Sequence, residues 1–143
     1  MLKRIKNMTT APTRVLSIFC GLALATAALA AEPHFGNLVF TADADSKIAK
    51  EVFATDTPKI YLHVQFKDVA PDSKLTATCI AEKTDAAPLN YKINSADFTA
   101  KRGMGEATFA LNKPSAGWPV GEYRVELSIN GKVATSDHFT VTK

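Results

Sequence analysis

Three histidines, two cysteines and a Ser-Asp-His triplet are the residues that could support metal or acid–base chemistry. His34, His63 and His138 share none of the short spacings typical of metal ligands, so a copper site with Met104 would have to assemble across strands. Ser136-Asp137-His138 holds the residue types of a catalytic triad, but neighbours on a strand point to opposite faces and cannot form the relay. We predict no catalytic residue, no metal and no cofactor.

Two short patterns lack the rest of their motifs. Arg102-Gly103-Met104-Gly105 has neither a third glycine nor a following helix, so it indicates a flexible turn rather than a phosphate-binding loop. Asp43 and Asp45 lack the other acids and the glycine of a calcium loop. Because no general base with a suitable partner emerges, the sequence does not predict an enzyme.

The first 30 residues have the organisation of a secretory signal peptide. Four basic residues and no acid precede the apolar stretch Val15 to Leu29; the basic residues are Lys3, Arg4, Lys6 and Arg14. Ala28-Leu29-Ala30 then supplies the small residues that a signal peptidase needs. We expect the mature chain to begin at Ala31 or Glu32 and to be periplasmic or extracellular. The alternative is a retained anchor, although Val15 to Ala31 is short for crossing the membrane. A lipoprotein signal at Cys20 is rejected, since Phe19 precedes that cysteine.

Removing this leader changes the charge and the cysteine count. Residues 31–143 carry 13 basic and 14 acidic residues, a net charge near −1, so the alkaline pI of the whole chain belongs to the leader. We therefore expect no nucleic-acid partner and, after cleavage, no membrane association. Only Cys79 remains, which excludes an intramolecular disulfide and favours a buried, inert thiol.

Alternation of apolar and polar residues with a period of two predicts strands throughout residues 31–143. Asn130-Gly131 predicts a two-residue type I′ hairpin, and Pro- or Gly-containing segments separate the other runs. Ser46 to Val52 is expected to be irregular or one helical turn, while Val52-Phe53 could instead begin an edge strand. About seven strands in about 110 residues predict one antiparallel β-sandwich domain. The apolar positions are Leu38 and Phe40; Ile60, Leu62, Val64 and Phe66; Leu75, Ala77, Cys79 and Ala81; Tyr91 and Ile93; Phe109 and Leu111; Tyr123, Val125, Leu127 and Ile129; Phe139 and Val141.

The C-terminal part resembles a known class of module. Trp118-Pro119-Val120-Gly121-Glu122-Tyr123, the turn at Asn130-Gly131 and the closing Phe139-Thr140-Val141 are similar to the last two strands of immunoglobulin-like and fibronectin-III-like modules in small exported bacterial proteins. The resemblance implies an immunoglobulin-like sandwich, and it implies little about function because most of these proteins lack an assigned role. Antibody domains have cysteines on two facing strands, whereas this chain has Cys79 on one only.

Trp118 is the residue with two competing interpretations. Its ring either closes one end of the sandwich or projects from a loop to bind a partner or sugar, and we favour the first. Tyr123 is expected to return its hydroxyl to a nearby loop backbone, as in a tyrosine corner.

The sequence favours a non-enzymatic, monomeric binding or accessory module whose partner is a protein or an envelope component. A mixed surface of Tyr61, His63 and Gln65 beside Arg124 and Glu126 would form if their strands are neighbours, with Trp118 as a further candidate contact. The alternatives are an inhibitor or immunity-type protein that inserts the loop Lys113 to Val120, and a periplasmic metal carrier.

Overall fold

The computed structural model describes residues 31–143. The predicted signal peptide, residues 1–30 with Cys20, lies outside the described residues. Eight strands are present: β1 His34–Thr41, β2 Val52–Ala54, β3 Lys59–Lys67, β4 Lys74–Thr84, β5 Tyr91–Thr99, β6 Glu106–Asn112, β7 Gly121–Ile129 and β8 Lys132–Thr142. His34 begins β1, and its Nδ1 donates a hydrogen bond to the Glu32 carbonyl at 3.0 Å.

The strands form a sandwich of a three-stranded sheet, ordered β1-β3-β6, and a five-stranded sheet, ordered β2-β8-β7-β4-β5. The predicted all-β sandwich is confirmed, with eight strands rather than about seven. The additional strand is β2, which runs parallel to β8 while every other pair is antiparallel. Within residues 31–143, no helix has the length and apolar character needed to traverse a membrane.

The segment between β1 and β2 carries the chain from one sheet to the other. It is irregular, as expected, and is fixed at its end by two backbone hydrogen bonds. The Lys50 N–H donates to the Phe40 carbonyl at 2.8 Å, and the Thr140 N–H donates to the Glu51 carbonyl at 2.8 Å. Val52 then begins the edge strand, which was the alternative interpretation of the sequence.

Except for Tyr91, which is exposed at the start of β5, the predicted alternating residues lie in the core between the sheets or pack against it. Ile60, Leu62 and Val64 of β3 are buried, and so are the apolar residues of β4 at positions 75, 77, 79 and 81. Two outward positions depart from the alternation. Ile80 and Ser128 are buried as well, and each lies at a register shift, between Cys79 and Ile80 against β5 and between Leu127 and Ser128 against β8. A bulge of this kind re-aims side chains locally, which simple parity does not anticipate.

Two turns depend on residues that adopt positive φ. Asn130 (φ 49°) and Gly131 (φ 87°) connect β7 to β8 with Ile129 opposite Lys132, which confirms the predicted type I′ hairpin. Gly121 has φ 147°, and a Cβ there would overlap the Lys83 carbonyl oxygen of β4 and approach the Thr84 Cα to 2.7 Å. Gly121 is therefore required by close approach of two backbones as well as by its conformation.

Candidate functional site

Trp118 closes one end of the sandwich and is not available as a surface contact. It is 1% exposed, and its ring meets Tyr123 and Phe139 edge-on at centroid distances of 5.7 and 6.0 Å. The indole N–H donates to the Thr57 carbonyl at 2.9 Å, which satisfies the one polar group of the ring. Trp118 as a candidate binding residue is thus wrong, and its predicted structural role is correct.

The loop that contains Trp118 is attached to the segment before β3. The Lys113 N–H donates to the Pro58 carbonyl at 3.0 Å, and the Trp118 N–H donates to the Thr55 carbonyl at 3.0 Å. The Tyr123 hydroxyl donates to the Pro119 carbonyl, as expected of a tyrosine corner, and burial raises the pKa of that hydroxyl well above its usual value. The loop Lys113 to Val120 therefore keeps its aromatic side chain inside the fold.

The mixed surface proposed from the sequence does not form as one face. Tyr61 and His63 lie on β3 of the three-stranded sheet, whereas Arg124 and Glu126 lie on β7 of the five-stranded sheet. Since all four point away from the core, they occupy opposite outer faces of the sandwich. The strands are not neighbours, so the condition on which this surface depended is not met.

On the outer face of the five-stranded sheet, Arg124 is the centre of an ion-pair network. Its Nε donates to Glu126 Oε1 at 3.0 Å, and its Nη1 contacts Glu82 Oε1 at 3.3 Å and Asn90 Oδ1 at 2.8 Å. His138 Nε2 lies 3.2 Å from the same Glu82 oxygen. The bond to Glu126, above all, raises the pKa of the Arg124 guanidinium. These side chains are engaged with one another, so the network has few polar atoms free for a ligand.

The outer face of the three-stranded sheet carries a groove of about 440 Å³, which we call the His63 groove. Its floor is the middle of the sheet, and its wall is the first half of the crossover between β1 and β2. A second depression of about 650 Å³ continues it towards His34 and Lys67 and shares Asn37, Gln65 and Glu106. The groove is lined by Asn37, Val39, residues 44–47, residues 63–65 and residues 106–108.

A chain of hydrogen bonds fixes His63 in the floor of the groove. The Thr41 hydroxyl donates to the Asp43 carbonyl at 2.7 Å, so its oxygen is left to accept from His63 Nε2 at 3.0 Å. In a neutral ring, Nδ1 then accepts from the Thr108 hydroxyl at 3.0 Å. Both ring nitrogens are thereby occupied, and the chain ties the floor of the groove to the crossover that forms its wall.

The polar side chains around His63 present donors and acceptors to the groove. Asp45 and Glu106 offer carboxylates, Asn37 and Gln65 offer amides, and Lys47 offers an ammonium group; within residues 31–143 none of the five makes a side-chain hydrogen bond or ion pair. Sequence reasoning identified Gln65 and missed the other four as site residues. The one sequence feature that could have pointed to this site is the glycine of Gly36-Asn37, because a glycine within a strand often marks a bulge. In the structure these two residues form a bulge of β1 opposite Gln65.

Metal and thiol chemistry have no cluster in the described part of the chain. Residues 31–143 contain no group of three or more His, Cys, Asp and Glu residues able to hold a metal ion. Cys79 is completely buried beside Val125 of the neighbouring strand, and burial raises the pKa of its thiol to about 12. His138 is exposed, and its backbone N–H is capped by the Asp137 carboxylate at 2.8 Å rather than serving a triad.

No protein family and no curated protein sequence matches the chain. Among solved structures, an immunoglobulin-like protein from Pseudomonas aeruginosa has a similar fold, with a TM-score of 0.54 and 14% sequence identity over 80% of this chain and 99% of that protein. The immunoglobulin-like sandwich predicted from the Pro-x-Gly-x-Tyr corner is confirmed by this similarity. At such low identity the similarity concerns the fold alone.

Segments of two enzymes are also similar. One is the alkylpurine DNA glycosylase of Pseudomonas fluorescens (TM-score 0.46, 15% identity, 78% of this chain and 31% of the enzyme). The other is the GH3 β-glucosidase of Bifidobacterium adolescentis (TM-score 0.45, 13% identity, 77% of this chain and 17% of the enzyme). The chain spans less than a third of either enzyme, and neither similarity bears on its activity.

Proposed function

We propose that the protein is an exported, non-enzymatic, monomeric binding module of the bacterial cell envelope that holds its partner in the His63 groove. The leader of residues 1–30 supports export to the periplasm or the exterior, and the fold is one that commonly presents ligands on a rigid framework. The observation that carries the proposal is the groove itself, a concavity within the size range of ligand sites in which several polar side chains lack partners.

The groove is a better binding site than the other candidate surfaces. The Arg124 network satisfies its own polar groups, and the loop Lys113 to Val120 buries its only aromatic ring. In the groove, by contrast, His63 is held rigidly while Glu106 and Gln65 remain free. A rigid floor with free polar groups lowers the entropy cost of binding.

Site-specific photo-crosslinking in cells tests the location of the partner. A photoreactive amino acid at Gln65 should yield a crosslinked species in the envelope fraction, and the same substitution at Ser136, exposed on the opposite sheet, should yield none. Crosslinking from Ser136 alone would place the partner on the wrong face, and crosslinking from neither site would contradict a binding role.

Intact-mass measurement of the same fraction tests export. We expect a mature chain that begins at Ala31 or Glu32. A full-length mass confined to the membrane pellet would show that the leader is a retained anchor.

A further inference from the structure

Resting on the proposed function, we infer that the His63 groove binds a neutral, polyhydroxylated ligand: a glycan chain rather than a peptide, an anion or a metal ion. The lining combines groups with opposite hydrogen-bonding demands. The carboxylates of Asp45 and Glu106 only accept, the ammonium of Lys47 only donates, and the amides of Asn37 and Gln65 do both. A ligand that satisfies all of them must donate and accept along its length, as successive sugar hydroxyls do.

The charge of the lining argues against an anionic ligand. In the formal charge of the lining, the carboxylates of Asp45 and Glu106 outweigh the single ammonium group of Lys47. A phosphate or carboxylate would therefore face two negative side chains, at a cost that one lysine offsets only in part. A bare metal ion would find two carboxylates, one in the crossover and one on β6, while both ring nitrogens of His63 are already hydrogen-bonded to Thr41 and Thr108. Residues 31–143 contain no group of three His, Cys, Asp and Glu residues able to hold a metal ion.

The position of the groove argues against a peptide. Its floor is β3, the central strand of the sheet, whose backbone is paired with β1 through Val39–His63 and with β6 through His63–Thr108. An extended peptide could not add to the sheet there, because strand addition needs a free edge. The lining also lacks the Trp, Tyr and Arg side chains that dominate protein–protein contacts, and its apolar members are small.

An aromatic side chain beside the groove suits a sugar ring. Tyr61 lies on the same outer face two residues before His63, about 7 Å along the strand, and is only half-buried. A half-buried phenol ring offers an apolar face for the C–H side of a sugar and a polar tip for its hydroxyls. From Tyr61 to Lys67 the outer face of β3 extends about 20 Å, which accommodates several sugar units rather than one.

The inference is tested by glycan-array screening of the exported protein, followed by ¹H–¹⁵N NMR titration with the best soluble oligosaccharide, for example chitopentaose or cellopentaose. We expect shifts confined to the groove. Gln65→Ala and Glu106→Ala should each weaken binding about tenfold, the loss expected for one hydrogen bond. Ser136→Ala, on the opposite sheet, should leave the affinity unchanged, and thermal melts should show that all three variants remain folded.

The possible failures are distinguishable. If no neutral glycan binds while Gln65 crosslinks to a protein, the ligand class is wrong and the proposed function stands. If an oligosaccharide shifts the Arg124 network instead, the groove is the wrong site for both. If reducing ends accumulate from a bound oligosaccharide, the ligand class stands and the non-enzymatic role is wrong.

Discussion

The buried thiol of Cys79 provides a direct measurement of how completely the core is closed. A thiol reagent such as iodoacetamide reacts with the thiolate, and the side chain has no exposed surface through which to meet it. Native protein should therefore be labelled only when the sandwich opens. The perturbation is simply addition of the reagent at pH 8, with and without guanidinium chloride.

The expected protection follows from the ionisation of the thiol and from the stability of the fold. With a pKa of about 12, only about one molecule in 10⁴ carries the thiolate at pH 8, against about a quarter of free thiols with a pKa of about 8.5. If the thiol is reached only by global unfolding, a free energy of unfolding of about 5 kcal/mol or more slows labelling by a factor at least as large as the loss of thiolate does. Native labelling should thus be at least about 10³-fold slower than labelling of the unfolded chain.

The same shift fixes the direction of a pH effect. Above about pH 8.5 the unfolded chain loses the Cys79 proton while the folded state keeps it, so the free energy of unfolding falls as the pH rises. The contribution of this thiol to the free energy of unfolding is therefore complete below about pH 8.5. It is lost progressively as the pH rises towards 12.

Mass spectrometry of the peptide that contains Cys79 measures the rate separately from Cys20. A matched control is Cys79→Ala combined with Ser95→Cys, which moves the thiol to an exposed position on the adjacent β5. That thiol should react within about tenfold of the unfolded rate. If native Cys79 reacted equally fast, or if a covalent dimer formed without reductant, the closed core and its register would be refuted.

Three further variants, two of them with a matched control variant, test the packing by thermal or denaturant unfolding. Gly121→Ala should destabilise by several kcal/mol because its Cβ would overlap backbone of β4, whereas Gly131→Ala, with open space around it, should cost only about 1 kcal/mol for its positive φ; equal effects would contradict the close approach. Tyr123→Phe should cost about 1 kcal/mol through the lost corner hydrogen bond, and an unchanged melt would show that this bond contributes nothing net. Val64→Asp should abolish folding while Ser95→Asp costs less than about 1 kcal/mol, and similar melts would refute the assigned faces of β3 and β5.

Local patterns in the sequence were sufficient to predict the strands, the hairpin and the roles of two aromatic residues. Alternation assigns each side chain to a face, so the inward residues of β3 and β7 were identified correctly. Alternation does not say which strands pair, because pairing depends on contacts distant in sequence. A surface shared by Tyr61 and Arg124 could for that reason be predicted only on the condition that their strands are neighbours, and the two residues lie on opposite faces. Alternation alone would point Ser128 outward, and it is buried because the register of β7 against β8 shifts between Leu127 and Ser128.

The candidate site was the least predictable part of the molecule. Asn37, Lys47 and Glu106 come from a bulge, an irregular crossover and an edge strand, so no periodicity or motif links them. His63 was identified by residue type, yet its role became clear only from its hydrogen bonds to Thr41 and Thr108.

The crossover between the sheets also fixes the order in which the groove can mature. Its far end is held by β2, whose Val52 pairs with Thr140 near the C-terminus, across 88 positions of the chain. Contacts between residues so distant in sequence form late in folding, after the loops between them have closed. If the chain emerges from an export channel N-terminus first, as proposed, the His63 groove would therefore be complete only when the last strand has arrived. Truncated or stalled molecules would then lack the binding site that we propose.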